Sequence, residues 1–565
     1  MAKSKYDSYN REQLLDKIKQ LEKQRYGLVW EDKLENVAEQ CEQALPVLHE
    51  ETSKEIFSDE KLPNNILIEG DNYHALYTLN FTHKRKVDVI YIDPPYNTGN
   101  KDFKYNDSFV EREDTFRHSK WVSFMYKRLR LAKNLLKENG VIIISIDDNE
   151  VSNLRMLCDI IFYEKNFIAL LPTIMNLKGN QDQFGFAGTH EYTLVYAKNK
   201  SQTRIGEFEV DEIADWEEDN FGYWKKGANL KSTGTNAPRE KRENLFYPIF
   251  ITRNNKVYVT ENNKKLHDSD VKLLPITDKK EMSWRWEKKK VKNEPHNIIV
   301  VRDGNEISIY KKQRPKLGDL PSKKPKSILY KPEYSSGNGT AQLKALFGEK
   351  AINNPKPLDL IEDLLFIGGD KNALILDFFA GSGTTGHAIM QLNQNDGGNR
   401  HFILCTNNEN KICEEVTYPR IKKVIKGYNG NQGIPANLKY FKTDFVPQVI
   451  TNNDKRVLVS RSTELLCIAE NTFQPVKESR KKNEFAIFKS NKQITAIIYD
   501  EDAIEKCKVE LEALNPKVKT VIYVFSYNHE YNAEDFEGLT IRFDVKPIPE
   551  AILNVYRKNA KLKRK

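Results

Sequence analysis

The sequence has little of what would place it in a membrane, in a disulfide framework or around a structural zinc ion. No uninterrupted apolar run approaches the length of a membrane span, and the N-terminus lacks the pattern of a signal peptide. The six cysteines are scattered and form no CxxC pair, which argues against zinc and disulfides. We therefore expect a soluble, cytoplasmic protein with reduced thiols and no metal centre.

Internal repeats and low-complexity tracts are also absent, so a solenoid or a disordered chain is not expected. The length of 565 residues permits several globular domains. The net charge of +9 is mildly basic and by itself only hints at a nucleic-acid partner.

The most informative stretch is Asp93-Pro94-Pro95-Tyr96, which closes a β-branched and aromatic strand at 87–92. Each proline fixes φ, lacks an N–H and pushes the preceding residue into an extended conformation. The carbonyls of Asp93 and Pro94 therefore stay free at the carboxyl end of a strand, where open α/β sheets bind ligands. Such a strand end suits a planar amine as ligand. Asp93 and the Pro94 carbonyl can accept hydrogen bonds from the amine, and the Tyr96 ring can stack on its plane. The alternative interpretation is an ordinary strand followed by a proline turn.

A second strand end is rich in glycine. The strand predicted at 373–376 runs into Asp377-Phe378-Phe379-Ala380-Gly381-Ser382-Gly383-Thr384-Thr385, where a helix begins at once. Such a turn lets the backbone approach a ligand and points helix N–H groups at an acidic group. We interpret this turn as neither a GxGxxG nor a GxxxxGK pattern, so neither a dinucleotide nor a nucleoside triphosphate is favoured. If both strand ends lie beside the switch point of one sheet, their two ligands would share one crevice.

Strands alternate with helices over 61–199 and again over 341–430, which predicts two halves of one mostly parallel α/β sheet. Residues 1–60 are expected to be an N-terminal helical segment. The predicted strands are 65–69, 87–92, 141–146, 167–172, 191–197, 373–376 and 402–405. The predicted helices are 10–24, 75–79, 117–138 with Gly140 as its C-cap, 151–162, 358–366 and 384–392.

Residues 200–340 interrupt this alternation and are polar. Within them, 223–242 hold six Lys/Arg against one acid, and 281–335 hold fourteen against seven, with aromatic residues close by. Basic side chains interleaved with aromatics can contact phosphates and base edges, although a solvated insertion is the alternative. After a linker at 430–435, residues 436–565 are expected to form a separate small α/β domain, with strands near 455–459, 485–488, 493–499 and 519–526 and a helix near 501–514.

Asp93-Pro94-Pro95-Tyr96 with Phe379-Ala380-Gly381-Ser382-Gly383 resembles the S-adenosylmethionine-dependent DNA amino-methyltransferases. The motif order, with a long region between, resembles their circularly permuted β group. The strings at 91–99, 144–150, 188–199 and 377–387 further resemble the modification subunit of type III restriction–modification systems. This resemblance implies a Rossmann-like sheet and site-specific methylation of adenine N6 in duplex DNA, with residues 200–340 as the target-recognition region. The implied partners are double-stranded DNA, a restriction (helicase–nuclease) subunit and a second copy of the chain.

The resemblance also implies roles for single residues. Asp93 and the Pro94 carbonyl would accept hydrogen bonds from adenine N6, in the motif completed by Pro95, and Tyr96 would stack on the extruded base. The residues implied for S-adenosylmethionine are Phe379, Gly381, Gly383 and Thr384 at its methionine part, Asp377 at its amino group, Lys356 nearby, Asp71 at its adenine and Glu409 at its ribose. The ribose position departs from the usual pattern, because the strand tip at 406–407 is Thr-Asn and Glu409 follows later.

Two other classes of function remain open. The first is another planar-nitrogen methyltransferase that acts on cytosine N4, RNA or a glutamine amide. Aspartate at position 93, rather than Ser or Asn, favours adenine, and the basic insertion favours DNA. The second is a non-catalytic DNA-specificity subunit, against which the intact motifs argue.

Overall fold

The fold is described from a computed structural model of the 565-residue chain. It divides into two compact units, one formed by residues 1–206 with 326–565 and the other by residues 207–325. The residues that the structure describes are 9–23, 28, 30–31, 34–176, 178–179, 185–209, 216–304, 306–314, 322–349, 351–478, 484–514, 517–527 and 530–562.

A large sheet is the centre of the first unit. Among the described residues it has nine strands: β1 (Ala44–Glu50), β2 (Asn64–Glu69), β3 (Val87–Ile92), β4 (Leu136–Ile146), β5 (Phe167–Ile174), β6 (His190–Ala197), β7 (Leu374–Asp377), β8 (His401–Thr406) and β9 (Asn437–Pro447).

The strand order across this sheet is β1-β9-β2-β8-β7-β3-β4-β6-β5. Neighbours from β9 to β4 are parallel, while β1, β6 and β5 pair antiparallel at the two sides. The central strands β3, β4 and β7 are apolar and buried, as strands covered on both faces must be. The predicted mostly parallel α/β sheet is therefore confirmed.

Helices connect these strands and supply much of the surrounding core. One of them, α4, buries Trp121, Met125 and Leu129 on its apolar side, as its spacing predicts. The α-helices of the first unit are α1 (Arg11–Lys23), α2 (Asn36–Gln43), α3 (Asn72–Thr82), α4 (Arg117–Leu135), α5 (Val151–Cys158), α6 (Ser336–Phe347), α7 (Leu358–Gly368), α8 (Thr384–Asp396), α9 (Tyr418–Lys426), α10 (Asn452–Ser460), α11 (Thr463–Glu470), α12 (Ile504–Leu514) and α13 (Glu550–Leu562).

The C-terminal part has a second sheet but is not a separate compact unit. Its strands lie in sequential order, and its last helix docks on the first sheet's helices: Tyr77 Oη donates to the Tyr556 carbonyl (2.9 Å), and Tyr556 Oη donates to the Pro46 carbonyl (2.6 Å). The strands are β10 (Gln474–Glu478), β11 (Phe485–Lys489), β12 (Gln493–Ile498), β13 (Lys519–Phe525) and β14 (Phe543–Ile548).

Three local expectations differ from the structure. The domain boundary expected at residue 436 falls just before β9, which pairs with β1 and β2 inside the large sheet. The strand expected near 455–459 is helix α10, because Thr451 and Asp454 form a capping box at its N-terminus. Gly140 is not a helix C-cap, since α4 ends at Leu135 and the chain is already extended at Leu136.

The second unit, residues 207–325, is β-rich and has its own core around Tyr247, Ile249, Trp284 and Ile309. Its largest sheet has the order 217–219, 222–229, 306–313, 298–303, and a smaller one has the order 257–258, 249–251, 271–273. Two further strand pairs and the short helix Lys288–Asn293 complete the described elements, the pairs being 276–277 with 280–281 and 208–209 with 322–323.

All six cysteines are buried. None of the helices in the described part of the chain is both long and apolar enough to cross a membrane.

Candidate active site

The two motifs found in the sequence follow neighbouring strands. Strands β3 and β7 pair in parallel, with Val89 opposite Ile375 and Ile90 opposite Leu376. The other neighbour of β3 is β4 and that of β7 is β8, so the chain leaves this pair in opposite directions. The gap between β3 and β7 is therefore a topological switch point, where open α/β sheets bind ligands.

A cleft of about 1110 Å³ opens at this edge of the sheet. A volume of this size is ample for a cofactor together with a base. Of the predicted site residues, those that line it are Asp71, Asp93, Pro94, Pro95, Tyr96, Lys356, Phe379, Gly381 and Glu409. Asp377, Gly383 and Thr384 do not line it; they lie within the turn that supports Gly381.

A hydrogen bond from helix α4 holds the Asp93–Tyr96 segment in place. The fully buried Trp121 donates its indole N–H to the Pro95 carbonyl at 2.7 Å. Pro94 and Pro95 add their fixed φ angles, so this segment has little freedom to move when a ligand binds. Since alignment of reacting groups depends on such rigidity, the segment is suited to hold an acceptor in place.

A buried carboxylate that was not predicted from the sequence anchors the next residue. Asn97 has a φ of +58° and donates to Glu150 Oε1 at 2.5 Å. His118 and Asn153 complete the contacts of Glu150, at 2.7 Å and 2.8 Å. Burial raises the pKa of Glu150, and its three hydrogen-bonding neighbours oppose that rise. The signal in the sequence was the acidic stretch 147–150, just after the buried strand β4.

Asp93 lies at the floor of the cleft with one oxygen available. Its Oδ1 is buried and accepts no hydrogen bond from any described residue. The closest cation is the Lys356 ammonium, whose Nζ lies 3.4 Å from that oxygen. A buried carboxylate oxygen without a donor is unusual and indicates a place for a ligand N–H.

Lys356 lines the cleft next to Asp93. Its Nζ donates to both oxygens of Glu191, at 2.7 Å and 2.8 Å, and to Tyr96 Oη at 2.5 Å. Burial alone would lower the pKa of Lys356, but Asp93 and Glu191 outweigh it and the pKa is raised. Sequence reasoning missed Glu191, which lies at the start of the antiparallel strand β6, at the edge where the parallel strands end.

The glycine turn faces the cleft through Gly381. This residue has a φ of +47°, and a Cβ placed on it would have only the Phe379 carbonyl oxygen near it, at 3.8 Å. The sequence Gly381-Ser382-Gly383-Thr384-Thr385-Gly386 has GxGxxG spacing, so the interpretation of this turn as lacking that pattern was wrong. The third glycine permits close packing of α8 on β8 and α9, because a Cβ on Gly386 would lie 3.0 Å from Leu404 and 2.6 Å from Ile421.

Asp377 shapes this turn. One of its oxygens accepts the Phe379 N–H at 2.9 Å, and the other accepts the Thr385 hydroxyl at 2.6 Å. Burial raises the pKa of Asp377 to about 7, with nearby Asp93 adding to the rise and the two donors opposing it. These two hydrogen bonds hold the turn in shape, and the contact of Asp377 with a cofactor amino group stays a prediction.

The turn is also supported from behind by a buried arginine that was not predicted. Arg420 donates to Thr384 Oγ1 at 2.7 Å and to Ser382 Oγ at 3.1 Å. Burial lowers the pKa of Arg420 to about 9. A second support is Thr417, whose hydroxyl donates to the Gly381 carbonyl at 2.6 Å.

Asp71 caps the helix on the other side of the cleft. Its side chain accepts the Tyr73 N–H at 2.7 Å and lies 3.4 Å from the guanidinium of Arg128. Arg128 is fully buried, stacks on Phe124 at 3.6 Å and pairs with Glu35 at 2.7 Å. This network fixes the start of α3 beside the glycine turn, where Phe124 and Phe379 lie 5.9 Å apart.

Glu409 lies at the cleft edge beyond β8 and pairs with Lys104. Thr406 and Asn407 line the cleft next to it. Glu409, predicted for the ribose contact, thus lines the same cleft as Gly381.

The comparisons with known proteins agree with this site. Residues 87–418 match a family described as DNA methylase, N6_N4_Mtase, and this stretch contains both motifs and the segment between them. The chain belongs to this DNA methylase family. It is therefore a DNA methyltransferase, and the predicted enzyme class is confirmed.

Curated relatives of this DNA methyltransferase include type III modification subunits. The EcoPI Mod subunit of Escherichia phage P1 is 44% identical over 470 residues, which cover 75% of this chain and 72% of the relative. The type II methyltransferase M.KpnI of Klebsiella pneumoniae is 32% identical and covers 62% and 82%. The EcoP15I Mod subunit of Escherichia coli is 29% identical and covers 75% and 71%. The predicted resemblance to type III modification subunits is confirmed.

Solved structures that resemble the DNA methyltransferase are more distant. The PvuII DNA methyltransferase, titled cytosine-N4-specific, is 12% identical with a TM-score of 0.33 and covers 66% of this chain and 91% of its own. The M1.HpyAVI–SAM complex is 14% identical with a TM-score of 0.28 and covers 63% and 97%.

Proposed function

We propose that this DNA methyltransferase transfers a methyl group from S-adenosylmethionine to N6 of an adenine in duplex DNA. The observation that carries the proposal is the adjacency of the two motifs: Asp93–Tyr96 and the glycine turn follow neighbouring parallel strands and line one cleft. One motif can present an acceptor to an amine while the other holds a cofactor within reach of it.

The cofactor side fits S-adenosylmethionine. Gly381 leaves open space where any other residue would place a side chain, so the methionine part can approach the backbone. Phe379 lies beside it, and Asp71 and Glu409 are the polar groups available to the adenosine part. When bound, the cofactor supplies a methyl group on a sulfonium, which is already electrophilic.

The base side fits an exocyclic amine. The N6 lone pair of adenine is delocalised into the ring, which makes it a poor nucleophile. Hydrogen bonds from N6 to Asp93 and to the Pro94 carbonyl would favour tetrahedral character at nitrogen as the new bond forms. The free Oδ1 of Asp93 is an acceptor already in place for one of those bonds, so the protein's contribution is alignment and electrostatic preorganisation.

The adenine must leave the duplex to reach this acceptor. Tyr96 is half-buried beside Asp93, and its ring lines the cleft. Stacking on Tyr96 would replace part of the stacking that the base loses when it is flipped out. Base flipping is therefore part of the proposal, with Tyr96 as the aromatic partner.

Residues 200–340 are proposed as the target-recognition region, within which the second compact unit spans 207–325. On neighbouring strands of that unit, Lys226 lies 4.0 Å from the Tyr310 ring and Lys312 lies 4.1 Å from the Trp224 ring. Amine and aromatic groups that alternate in this way can contact phosphates and bases.

The relatives support a proposal for the wider assembly. Because the EcoPI and EcoP15I Mod subunits belong to type III restriction–modification enzymes, we propose that this chain is also a modification and specificity subunit with a restriction subunit as partner. A second copy of the chain is a further proposed partner. The motif order, with β3 early and its neighbour β7 late, supports a circularly permuted sheet.

Asp93→Ala tests the catalytic assignment. We expect methyl transfer to fall by roughly two to three orders of magnitude, as when one preorganised polar group is removed from an active site. DNA affinity and cofactor affinity should change little, because Asp93 faces the reacting nitrogen and not the phosphates.

The measurement is incorporation of labelled methyl groups, combined with DNA-binding and calorimetric titrations. Asp93→Asn is the matched control, since it keeps the shape and one acceptor oxygen, and it should retain more activity than the alanine variant. Equal losses of DNA affinity and activity in Asp93→Ala would contradict this role. Methylation of cytosine N4 in place of adenine would favour the alternative function.

A further inference from the structure

Four side chains at the floor of the cleft form one connected cluster, which we call the Lys356 cluster: Asp93, Tyr96, Glu191 and Lys356. Lys356 donates to Glu191 at 2.7 Å and 2.8 Å and to Tyr96 Oη at 2.5 Å. Tyr96 Oη in turn donates to Glu191 Oε2 at 3.2 Å. The Lys356 and Glu191 side chains are only 10% and 12% exposed.

The cluster joins three separate parts of the chain. Asp93 and Tyr96 follow β3, Glu191 lies at the start of β6, and Lys356 stands between Pro355 and Pro357 just before α7. Burying an ion pair costs desolvation energy that its attraction scarcely repays, so stability is a weak reason for this arrangement. A better reason is the fixed geometry of the two groups that face the cleft, the Asp93 carboxylate and the Tyr96 ring.

The donors of Lys356 are already in use. An ammonium has three N–H donors, and the contacts with Glu191 and Tyr96 account for at least two of them. The remaining direction is toward Asp93, at 3.4 Å. The ammonium is therefore directed at Glu191, Tyr96 and Asp93.

Glu191 decides what Lys356 does to Asp93. By taking the closest contacts of the ammonium, Glu191 keeps Lys356 from closing onto Asp93, whose Oδ1 consequently remains without a hydrogen bond. Without Glu191, the nearest carboxylate to the Lys356 ammonium would be that of Asp93, whose Oδ1 lies 3.4 Å from Nζ. The oxygen meant for an incoming N–H would then be occupied.

We propose that Lys356 and Glu191 are positioning residues for the target base: Lys356 holds the Tyr96 ring by its hydroxyl, and Glu191 keeps the Asp93 acceptor open. This inference rests on the proposed function, because it concerns the base that Asp93 and Tyr96 receive. It assigns Lys356 to the base, in place of the cofactor.

The test compares four variants, Lys356→Met, Glu191→Gln, Tyr96→Phe and the Lys356→Met/Tyr96→Phe double variant. A duplex carrying 2-aminopurine at the mapped target position reports base flipping by fluorescence, single turnovers report methyl transfer, and calorimetry reports S-adenosylmethionine affinity. Lys439→Met is the matched control, because Lys439 is also a buried lysine paired with glutamates, Glu50 and Glu55, and does not line the cleft.

We expect Lys356→Met to slow methyl transfer about tenfold or more and to weaken the flipping signal, with about the same cofactor affinity as the wild type. Glu191→Gln should slow methyl transfer while the base still flips. In this variant Lys356 would occupy the Asp93 acceptor, but it would still hold the Tyr96 ring. If Lys356 acts through the hydroxyl, the double variant should lose far less than the product of the two single losses. Lys439→Met should leave the flipping signal unchanged.

Two results would overturn the inference. One is a loss of cofactor affinity as the main effect of Lys356→Met. The other is multiplicative losses in the double variant, which would show that Lys356 and the Tyr96 hydroxyl act separately. Tyr96→Phe removes a single oxygen and so keeps the comparison possible if Lys356→Met does not fold. Failure of the proposed function is distinct, since the wild-type protein would then methylate no adenine.

Discussion

Replacing Gly381 with valine should abolish cofactor binding while leaving the protein folded. Gly381 has a left-handed φ of +47° and lines the cleft, and the space where a Cβ would point is open. A valine there would place its two methyl groups in the volume that the methionine part of S-adenosylmethionine is proposed to occupy. The loss of cofactor affinity is therefore expected from a steric clash with the ligand, and the loss of folding stability is expected to be smaller.

Both costs can be stated from the structure. A non-glycine residue in the left-handed region loses about 1–2 kcal/mol, and more for a β-branched side chain. Gly397 is the matched control, because it has a φ of +67°, does not line the cleft, and a Cβ placed on it would meet no atom within 4 Å. Gly381→Val and Gly397→Val should thus lose similar stability, and only Gly381→Val should lose cofactor affinity.

The assay is calorimetric titration with S-adenosylmethionine after thermal unfolding has shown that both variants are folded. A fall of about tenfold or more in affinity, which is about 1.4 kcal/mol, is expected for Gly381→Val alone. Normal affinity in a folded Gly381→Val protein would refute the assignment of this turn to the cofactor. Equal affinity losses in both variants would attribute the effect to backbone strain.

The buried carboxyl of Asp377 and the second compact unit each lead to a further prediction. Burial raises the pKa of Asp377 from 3.8 to about 7, so its contribution to stability should be fully present below pH 4 and fall as the pH rises through about 7, by up to about 4 kcal/mol. Asp377→Asn should remove this dependence in urea unfolding, and an unchanged pH profile would contradict it. Exchanging residues 207–325 with those of a relative should move the methylated sequence and keep adenine as the target. An active chimera with the parental sequence would place recognition in another part of the chain, with the C-terminal part as the next candidate.

The two motif strands were predictable because their signals are local. A β-branched run followed by two prolines defines β3 and its end, and a glycine-rich turn defines the end of β7. The sequence did not show that these two strands are neighbours; a shared crevice was expected only if they were. The pairing of Val89 with Ile375 shows that they are neighbours.

Contacts between residues far apart in the chain could not be predicted from the sequence. Lys356 lies 165 residues from Glu191 and 260 from Tyr96, and no periodicity relates them. The same holds for β1, which was not predicted because it is defined by its pairing with β9 nearly four hundred residues later. The helix α10 shows a different failure: the run Val457-Leu458-Val459 favoured a strand, but the capping box at Thr451 and Asp454 was the stronger signal.

The central claim is tested most directly by identifying the methylated base. The purified protein is incubated with duplex DNA and S-adenosylmethionine carrying a labelled methyl group, and the DNA is digested to nucleosides and separated. The proposed function predicts that the label is found in N6-methyladenine, and that Asp93→Ala lowers its amount by roughly two to three orders of magnitude. Label in N4-methylcytosine, or no label in DNA with an intact cofactor site, would contradict the claim.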